Sequence, residues 1–325
     1  MPNTYDIAVI GSGPASLTAA IYTSRGAAKT VILAGSNWGG QLMLTTEVEN
    51  FPGFDHILGP ELMAKMKNHA VKFGSEFIGA DVEEVDFSRQ PFTLKANGKD
   101  YQTKSVIITT GANARWLNLP SEREFIGRGV SSCAPCDAPF FKEKNVIVVG
   151  GGDSAMEEAL VLTKYAASVT IVHRRSNFRA SKIMQSKVLN HPKIKVIWDT
   201  EVTEILGTDK VSGVKLKNVK TGETRDMPID GVFVAIGHDP NTKLFAGKLE
   251  LDEKGYIKII SNSKFLISNE KGEEVGNRFS TMTSIEGIFA AGDVHDFRYR
   301  QAITAAGFGC QAAMDALSWL EEVRP

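Results

Sequence analysis

The residues of this chain best suited to chemistry are Cys133-Ala134-Pro135-Cys136-Asp137. Two cysteines separated by two residues can close a disulfide and lower the pKa of one thiol. The Asp137 carboxyl beside them is placed to give and take a proton. In a reducing compartment such a pair is redox-active or metal-binding. Zinc takes four ligands, and the one further cysteine, Cys310, falls on an apolar face of the closing helix, where it reads as a buried packing thiol. No His-x-x-x-His or second cysteine pair completes a set. The ligand count favours redox chemistry, and no metal site is expected.

Two glycine loops could hold nucleotides. In Gly11-Ser12-Gly13-Pro14-Ala15-Ser16 the glycines permit a tight turn and close approach of a pyrophosphate to backbone N–H groups at a helix start. Ser16 stands where a third glycine is usual, and it is small enough to preserve close helix–sheet packing. The strand that follows ends in Ala34-Gly35, without the acid that would bind a ribose, so the ribose contact must differ. The second loop, Gly150-x-Gly152-x-x-Ala155, matches more tightly. About 20 residues on, where an acid would favour NAD, stands His173-Arg174-Arg175, with Arg179 close behind. Guanidinium groups grip phosphate through paired hydrogen bonds, so this site is expected to take the 2′-phosphate of NADPH. Gly292-Asp293 and Arg300-Gln301-Ala302 form a further candidate: an Asp after a strand can bind a ribityl hydroxyl, and N–H groups at a helix start can stabilise charge near a flavin.

The elements that position these residues repeat one plan. An apolar run at Asp6–Ile10, a helical pattern over Pro14–Arg25 and a second run at Val31–Leu33 form a strand–turn–helix–strand unit. Asn145–Val149, a helix from Ser154 to about Tyr165 and Val169–Val172 repeat it. Each unit is followed by short strands read as a β-meander leading back into a parallel sheet. The first set is Val82–Phe87, Phe92–Ala96 and Val106–Thr109; the second is Lys195–Ile197, Val202–Leu206, Val211–Lys217 and Gly231–Ala235. Ser268–Arg278 reads as a surface hairpin or loop, Ile288–Ala291 as a strand, and Gln301–Leu320 as a closing helix. The fold class expected is α/β, with two Rossmann-like dinucleotide-binding domains of three-layer ββα form.

A length of 325 residues allows two domains. A net charge of −1 gives no support for nucleic-acid binding. No apolar run reaches the roughly 18 residues of a membrane span. The chain enters its first strand without a basic leader or cleavage-like site, so a cytoplasmic address is expected.

Taken in order, several segments carry a family signature. They are Gly11–Ala15, Gly39-Gly40-Gln41-Leu42, Thr45–Gly53, Cys133-x-x-Cys136-Asp137, Gly150–Ala155, His173-Arg174-Arg175, Ile236-Gly237-His238-x-Pro240-Asn241-Thr242, and Ala291-Gly292-Asp293-Val294 through Arg300-Gln301-Ala302. From end to end the chain resembles the low-molecular-weight thioredoxin reductases, class II of the pyridine nucleotide-disulfide oxidoreductases.

The resemblance implies an FAD domain in two segments, 1–112 and 244–325, with an NADPH domain at 113–243 inserted between them. It implies a homodimer, a thioredoxin substrate, and two alternating domain orientations, with Gly111–Asn113 and Ile236–Thr242 as hinges. FAD contacts are expected from Gly11, Ser12, Gly13, Pro14, Ala15, Gly35, Gly40, Gln41, Leu42, Asn50, Val82, Ala112, Gly292, Asp293, Arg300, Gln301 and Ala302. NADPH contacts are expected from Gly152, Asp153, Ser154, His173, Arg174, Arg175, Arg179, Ile236 and Gly237. Cys136 is expected to face the flavin, Cys133 to attack the thioredoxin disulfide, and Asp137 to manage the proton.

Ser16, Pro135 and Ala138 depart from the family pattern, and Ser268–Arg278 has the look of an insertion. Pro135 removes a backbone N–H near the thiolate, which is expected to shift the dithiol potential. A dithiol oxidase, or a reductase fed by ferredoxin, would be expected to lack the NADPH signature that stands here. A peroxiredoxin-reducing relative would carry an additional N-terminal dithiol domain. A nucleotide-binding redox sensor, the non-enzyme reading, would show flavin bleaching without partner-dependent turnover.

Overall fold

The structure, a computed structural model, describes residues 4–45, 47–259, 266–268 and 271–323. Thr46 of the Thr45–Gly53 segment, residues 1–3 and residues 269–270 of the expected loop lie outside the described residues. The chain divides into two compact units, Met1–Asn113 with Asp239–Pro325, and Ala114–His238.

The first unit opens with β1 (Thr4–Ile10), α1 (Pro14–Arg25) and β2 (Thr30–Leu33), followed by a 3-10 turn at Gly40–Leu44. Then come α2 (Gly59–Lys72), β3 (Glu76–Ile78), β4 (Val82–Asp86), β5 (Phe92–Ala96), β6 (Lys99–Ile108) and the exit strand β7 (Ala112–Ala114). Ile7–Ile10 and Val31–Leu33 are buried on both faces, as strands of a helix-covered parallel sheet must be. β1 pairs in parallel with β2 and β6, placing Val9 beside Ile32 and Ile107. β6 does two jobs: its first half pairs antiparallel with β5, and its second half joins the parallel sheet. The meander expected after the first dinucleotide unit is therefore present.

The second unit contains α3 (Pro120–Glu124), β8 (Val130–Ser131), α4 (Ala134–Asp137), a 3-10 turn at Ala138–Phe141, β9 (Asn145–Gly150), α5 (Asp153–Leu162) and β10 (Ser168–Val172). These are followed by α6 (Lys182–Leu189), β11 (Ile194–Ile197), β12 (Thr200–Gly207), β13 (Val211–Asn218), β14 (Thr224–Pro228) and β15 (Gly231–Ala235). β11, β10, β9, β15 and β8 form one parallel sheet. Two expectations need correction here. Residues 195–197 belong to that sheet and not to the meander, because β11 pairs in parallel with β10. The third meander strand is β14, whose residues are mostly polar and exposed, so hydrophobic pattern does not reveal it.

The chain returns to the first unit through β16 (His238–Pro240). The hairpin expected over Ser268–Arg278 starts earlier: β17 (Leu266–Ser268) and β18 (Glu274–Asn277) pair antiparallel. β19 (Ile288–Ala290) adds a parallel strand beside β6, and α7 (Ala302–Glu322) closes the unit. α7 lies against α1 through small residues: a Cβ at Gly309 would stand 2.1 Å from the Ala15 carbonyl oxygen. Cys310 on this helix is half-exposed and not buried, because it faces Tyr22 and Met314 at the helix surface; its Sγ lies 3.9 Å from Met314 Sδ.

Candidate active site

In the second unit, Ser131 at the end of β8 leads directly into the cysteine turn. Cys133 and Cys136 form a disulfide with a Cα–Cα distance of 5.3 Å. The Cys133 N–H donates to Ser131 Oγ at 3.0 Å, and the Cys136 and Asp137 N–H groups donate to the Cys133 carbonyl at 3.2 and 3.1 Å. The Ala134 N–H donates to the carboxylate of Glu158 on α5. Pro135 is exposed, and the two cysteines are half-buried. Burial pushes the Asp137 carboxyl above its usual range, against a hydrogen bond with Ser131. The shift favours the protonated carboxyl more than a free aspartate does.

The glycine turn after β9 is shaped by its neighbours. A Cβ at Gly150 would lie 2.4 Å from the Ala235 carbonyl oxygen, and one at Gly151 would lie 2.2 Å from the His173 ring. Gly152, at the start of α5, has nothing within 4 Å of such a Cβ, so open space lies before the helix. Asp153 accepts from the Ser181 N–H and hydroxyl at 2.9 and 2.8 Å, and Ser154 is half-buried in the first turn. His173 is buried, with Nε2 2.9 Å from the Asn177 carbonyl and its ring against Phe178 and Trp198. Burial holds its pKa below the usual value. This histidine props the glycine turn from below. Arg174, Arg175 and Arg179 are exposed, and the Arg179 N–H donates to the Gly151 carbonyl at 2.8 Å. Ile236 and Gly237 follow β15, and Gly237 adopts φ +114.

In the first unit, Gly11 has φ +128, and a Cβ there would meet Thr109 O at 2.4 Å and Ser16 Oγ at 2.9 Å. Ser16 is fully buried and shares a 2.7 Å hydrogen bond with the Thr109 hydroxyl. The departure at this position is thus absorbed by a polar contact. Ser12 donates to the Ala34 carbonyl at 2.7 Å and accepts from the Gly39 N–H at 2.9 Å, which ties the loop to the next segment. Gly13 precedes α1 with open space at its Cβ position, Pro14 opens the helix, and a Cβ at Gly40 would come within 3.8 Å of Gly13 Cα. Gly292 approaches Ala15, with 3.0 Å between its added Cβ and the Ala15 methyl.

Asn50 donates to Gln301 Oε1 at 3.4 Å, and Gln301 closes a capping box with Thr304 just before Ala302. Gln41 donates to Asn113 at 3.2 Å, Leu42 packs beside Val48, and Ala112 is buried. Gly35, just after β2, lies against Asp81, the residue before Val82, and Asp81 accepts from the Ser36 N–H and hydroxyl at 3.1 and 2.6 Å. Burial first, and then the Asp296 carboxylate, push Asp293 up to about 7, against the pull of Arg300. His295 is held at about 4 by burial, and its buried Nε2 has no hydrogen-bond partner among the described residues.

Residues 5–309 match the pyridine nucleotide-disulphide oxidoreductase family. The chain belongs to that family. This oxidoreductase is 50% identical to a thioredoxin reductase of Streptomyces coelicolor over 98% of its own length and 95% of the relative's. It is 49% identical to one of Rickettsia felis, covering 99% and 100% of the two chains. Among solved structures, a thioredoxin reductase from Giardia duodenalis superposes with a TM-score of 0.88 at 42% identity, covering 98% of this chain and 99% of that one. One from Streptococcus pyogenes does so with a TM-score of 0.88 at 40%, covering 99% and 100%.

The cofactors of this oxidoreductase are FAD and NADPH. Its first unit fits a dinucleotide: the tight Gly11 turn and the open space at Gly13 leave the start of α1 accessible to a phosphate, and among the described residues the buried His295 Nε2 lacks a polar partner. Sequence spacing missed Glu158, Asp81 and Ser181, which act on the site through contacts distant in the chain, and Ser131, a local partner of Cys133 and Asp137 that no motif singles out. It also did not flag the exposed trio Glu47, Glu49 and His56, whose ligand atoms lie within 4.8 Å of one another.

Proposed function

We propose that the chain reduces the disulfide of thioredoxin with NADPH, through FAD and the Cys133–Cys136 pair. The observation that carries this reading is the Cys133–Cys136 disulfide, set one 3-10 turn and one strand ahead of a glycine turn in a chain matched over its length by thioredoxin reductases.

FAD, when bound, supplies the transfer of an electron pair from the hydride of NADPH to a disulfide. The chain's own residues bind, orient and handle protons. The Gly11–Ala15 loop and the start of α1 hold the pyrophosphate of FAD, with Gly40, Gln41, Leu42, Gly292 and Asp293 around it. Gly35 and Val82 take the adenosine end, while Asn50, Ala112, Arg300, Gln301 and Ala302 take the flavin end. The Gly152–Ser154 turn and Ile236–Gly237 hold NADPH. Arg174, Arg175 and Arg179 bind its 2′-phosphate, and their exposed guanidinium groups favour this. Cys136 would receive the electron pair, and the Cys133 thiolate released as the disulfide opens would take a proton from Asp137 and return it to Asp137 before Cys133 attacks. The Cys133 thiolate then attacks one sulfur of the partner disulfide. Cys136 displaces the partner's thiol from the mixed disulfide, which restores the Cys133–Cys136 bond.

The same reading makes the chain a cytoplasmic homodimer. No helix among the described residues is long and apolar enough to cross a membrane, and Tyr22, Ile303 and Met314 leave apolar surface on α1 and α7.

Anaerobic NADPH consumption with thioredoxin tests the proposal. Turnover that requires thioredoxin and vanishes in Cys136→Ser is expected. Wild-type enzyme that is reduced by NADPH but ignores thioredoxin would move the reading to another disulfide partner.

A further inference from the structure

We infer that Glu158 tunes the acidity and redox poise of the Cys133–Cys136 pair by occupying the backbone N–H that a thiolate in this turn would otherwise use. The inference rests on the redox role proposed above and goes beyond it by naming what sets the pair's balance.

In a Cys-x-x-Cys turn, backbone N–H groups near the first cysteine stabilise its thiolate and lower its pKa. Here each such group is absent or engaged. The Cys133 N–H goes to Ser131, and the Cys136 and Asp137 N–H groups go to the Cys133 carbonyl. Of the two residues between the cysteines, Pro135 has no N–H, and Ala134 donates to Glu158. The acceptor is also a carboxylate, so the turn faces a negative charge where a thiolate would form.

Among the described residues, the elements packed most closely against α4 are α5 and the Ala138–Phe141 turn. Their ionisable groups are Asp153, Glu157 and Glu158 of α5; Asp137 belongs to α4 itself, and Lys142 follows the turn. Of these, Glu158 takes a backbone N–H of the cysteine turn, whereas Asp153 is held by Ser181 and Asp137 bonds Ser131.

Reduction breaks the S–S bond, consumes two electrons and two protons, and leaves two thiols. Whatever stabilises a thiolate stabilises the reduced form and makes the pair a stronger oxidant. A carboxylate beside the turn acts in the opposite sense. It keeps the dithiol reducing, as a pair that must hand electrons onward requires. Glu158 touches neither substrate nor cofactor in this scheme and is a positioning residue.

Glu158→Gln keeps the shape and an acceptor oxygen but removes the charge. The flavin-loaded enzyme is reduced with excess dithiothreitol, which is oxidised to its cyclic disulfide. It is then alkylated with iodoacetamide across pH, and label at Cys133 is read by peptide mass to separate it from Cys310. The pH midpoint of Cys133 labelling is expected to fall by about one unit in the variant, with labelling at pH 7 about threefold faster. Flavin content and NADPH affinity are expected to match wild type. A wild-type labelling profile in a folded Glu158→Gln enzyme overturns the proposal, because a merely structural acceptor would leave the profile in place. If that variant does not fold, Pro135→Thr asks the question from the other side. Its added N–H must lower the midpoint, and an unmoved midpoint again overturns the proposal. Chemical reduction bypasses NADPH, so failure here is distinct from failure of the proposed function.

Discussion

Asp293 and His295 are ionisable neighbours whose burial favours the neutral form of each. Asp293 is raised from 3.8 to about 7, and His295 is lowered from 6.5 to about 4. The signs of their stability effects oppose. The raised Asp293 contributes stability that is full below its unfolded value and is lost as pH rises through about 7. The depressed His295 contributes stability that is present above its unfolded value and is lost as pH falls through about 4. Between these limits the two slopes offset. Asp293→Asn should unmask the histidine. In the flavin-free chain the variant should be more stable than wild type at pH 8 by about 2 kcal/mol, roughly half the ~4 kcal/mol equivalent of a three-unit shift, because solvent reaches the site. It should then lose stability steeply from pH 6.5 to 4, where wild type stays nearly level. Urea unfolding at pH 4.5, 6 and 8 checks both limbs, and a level profile in the variant would show that the offset does not exist.

The contact of α1 with α7 connects packing to the first nucleotide loop. Gly309 lets α7 approach the Ala15 carbonyl, one residue beyond Pro14, whereas Gly307 one half-turn earlier faces open space. Gly309→Ala should push α7 off α1 and cost about 3 kcal/mol, with loss of bound flavin. Gly307→Ala should stabilise by about 0.5–1 kcal/mol through helix propensity alone. Thermal melts and the flavin absorbance of purified protein distinguish the two. Elements of this kind were readable in the sequence: α1 spans the Pro14–Arg25 pattern, and the strands bounding both glycine turns fall on their apolar runs. What could not be read is physically different. β14 has no buried face to leave an alternating pattern, and β11 shows its sheet only through its partner β10. The cysteine turn and glycine loops are visible because they are local in the chain. Glu158 lies 24 residues from Ala134 and Asp81 45 residues from Ser36, so only the fold discloses them.

For the whole molecule, the proposed electron path places demands on the two chain crossings. The cysteine turn and the Gly150–Gly152 loop share one unit, and the Gly11–Ala15 loop belongs to the other. On the proposed function, electrons pass from the nucleotide side of one unit to the flavin side of the other and back to the cysteine pair, and the crossings are proposed as the hinges between those tasks. Gly111 sits at the first crossing with φ +68 and nothing within 4 Å of an added Cβ. Its carbonyl accepts from the Asn241 N–H at 2.9 Å, and at the second crossing the Gly237 carbonyl accepts from the Arg115 N–H at 2.9 Å. Gly111→Ala therefore introduces backbone strain of about 1 kcal/mol without a clash. Flavin content and NADPH affinity should stay near wild type, since neither loop is touched. Thioredoxin turnover should fall about fivefold if that strain falls on the alternating step. Turnover with ferricyanide, which takes electrons from the flavin without using the cysteine pair, should remain near wild type. A parallel fall in both activities would place the effect of Gly111 in the flavin site instead of in the crossing.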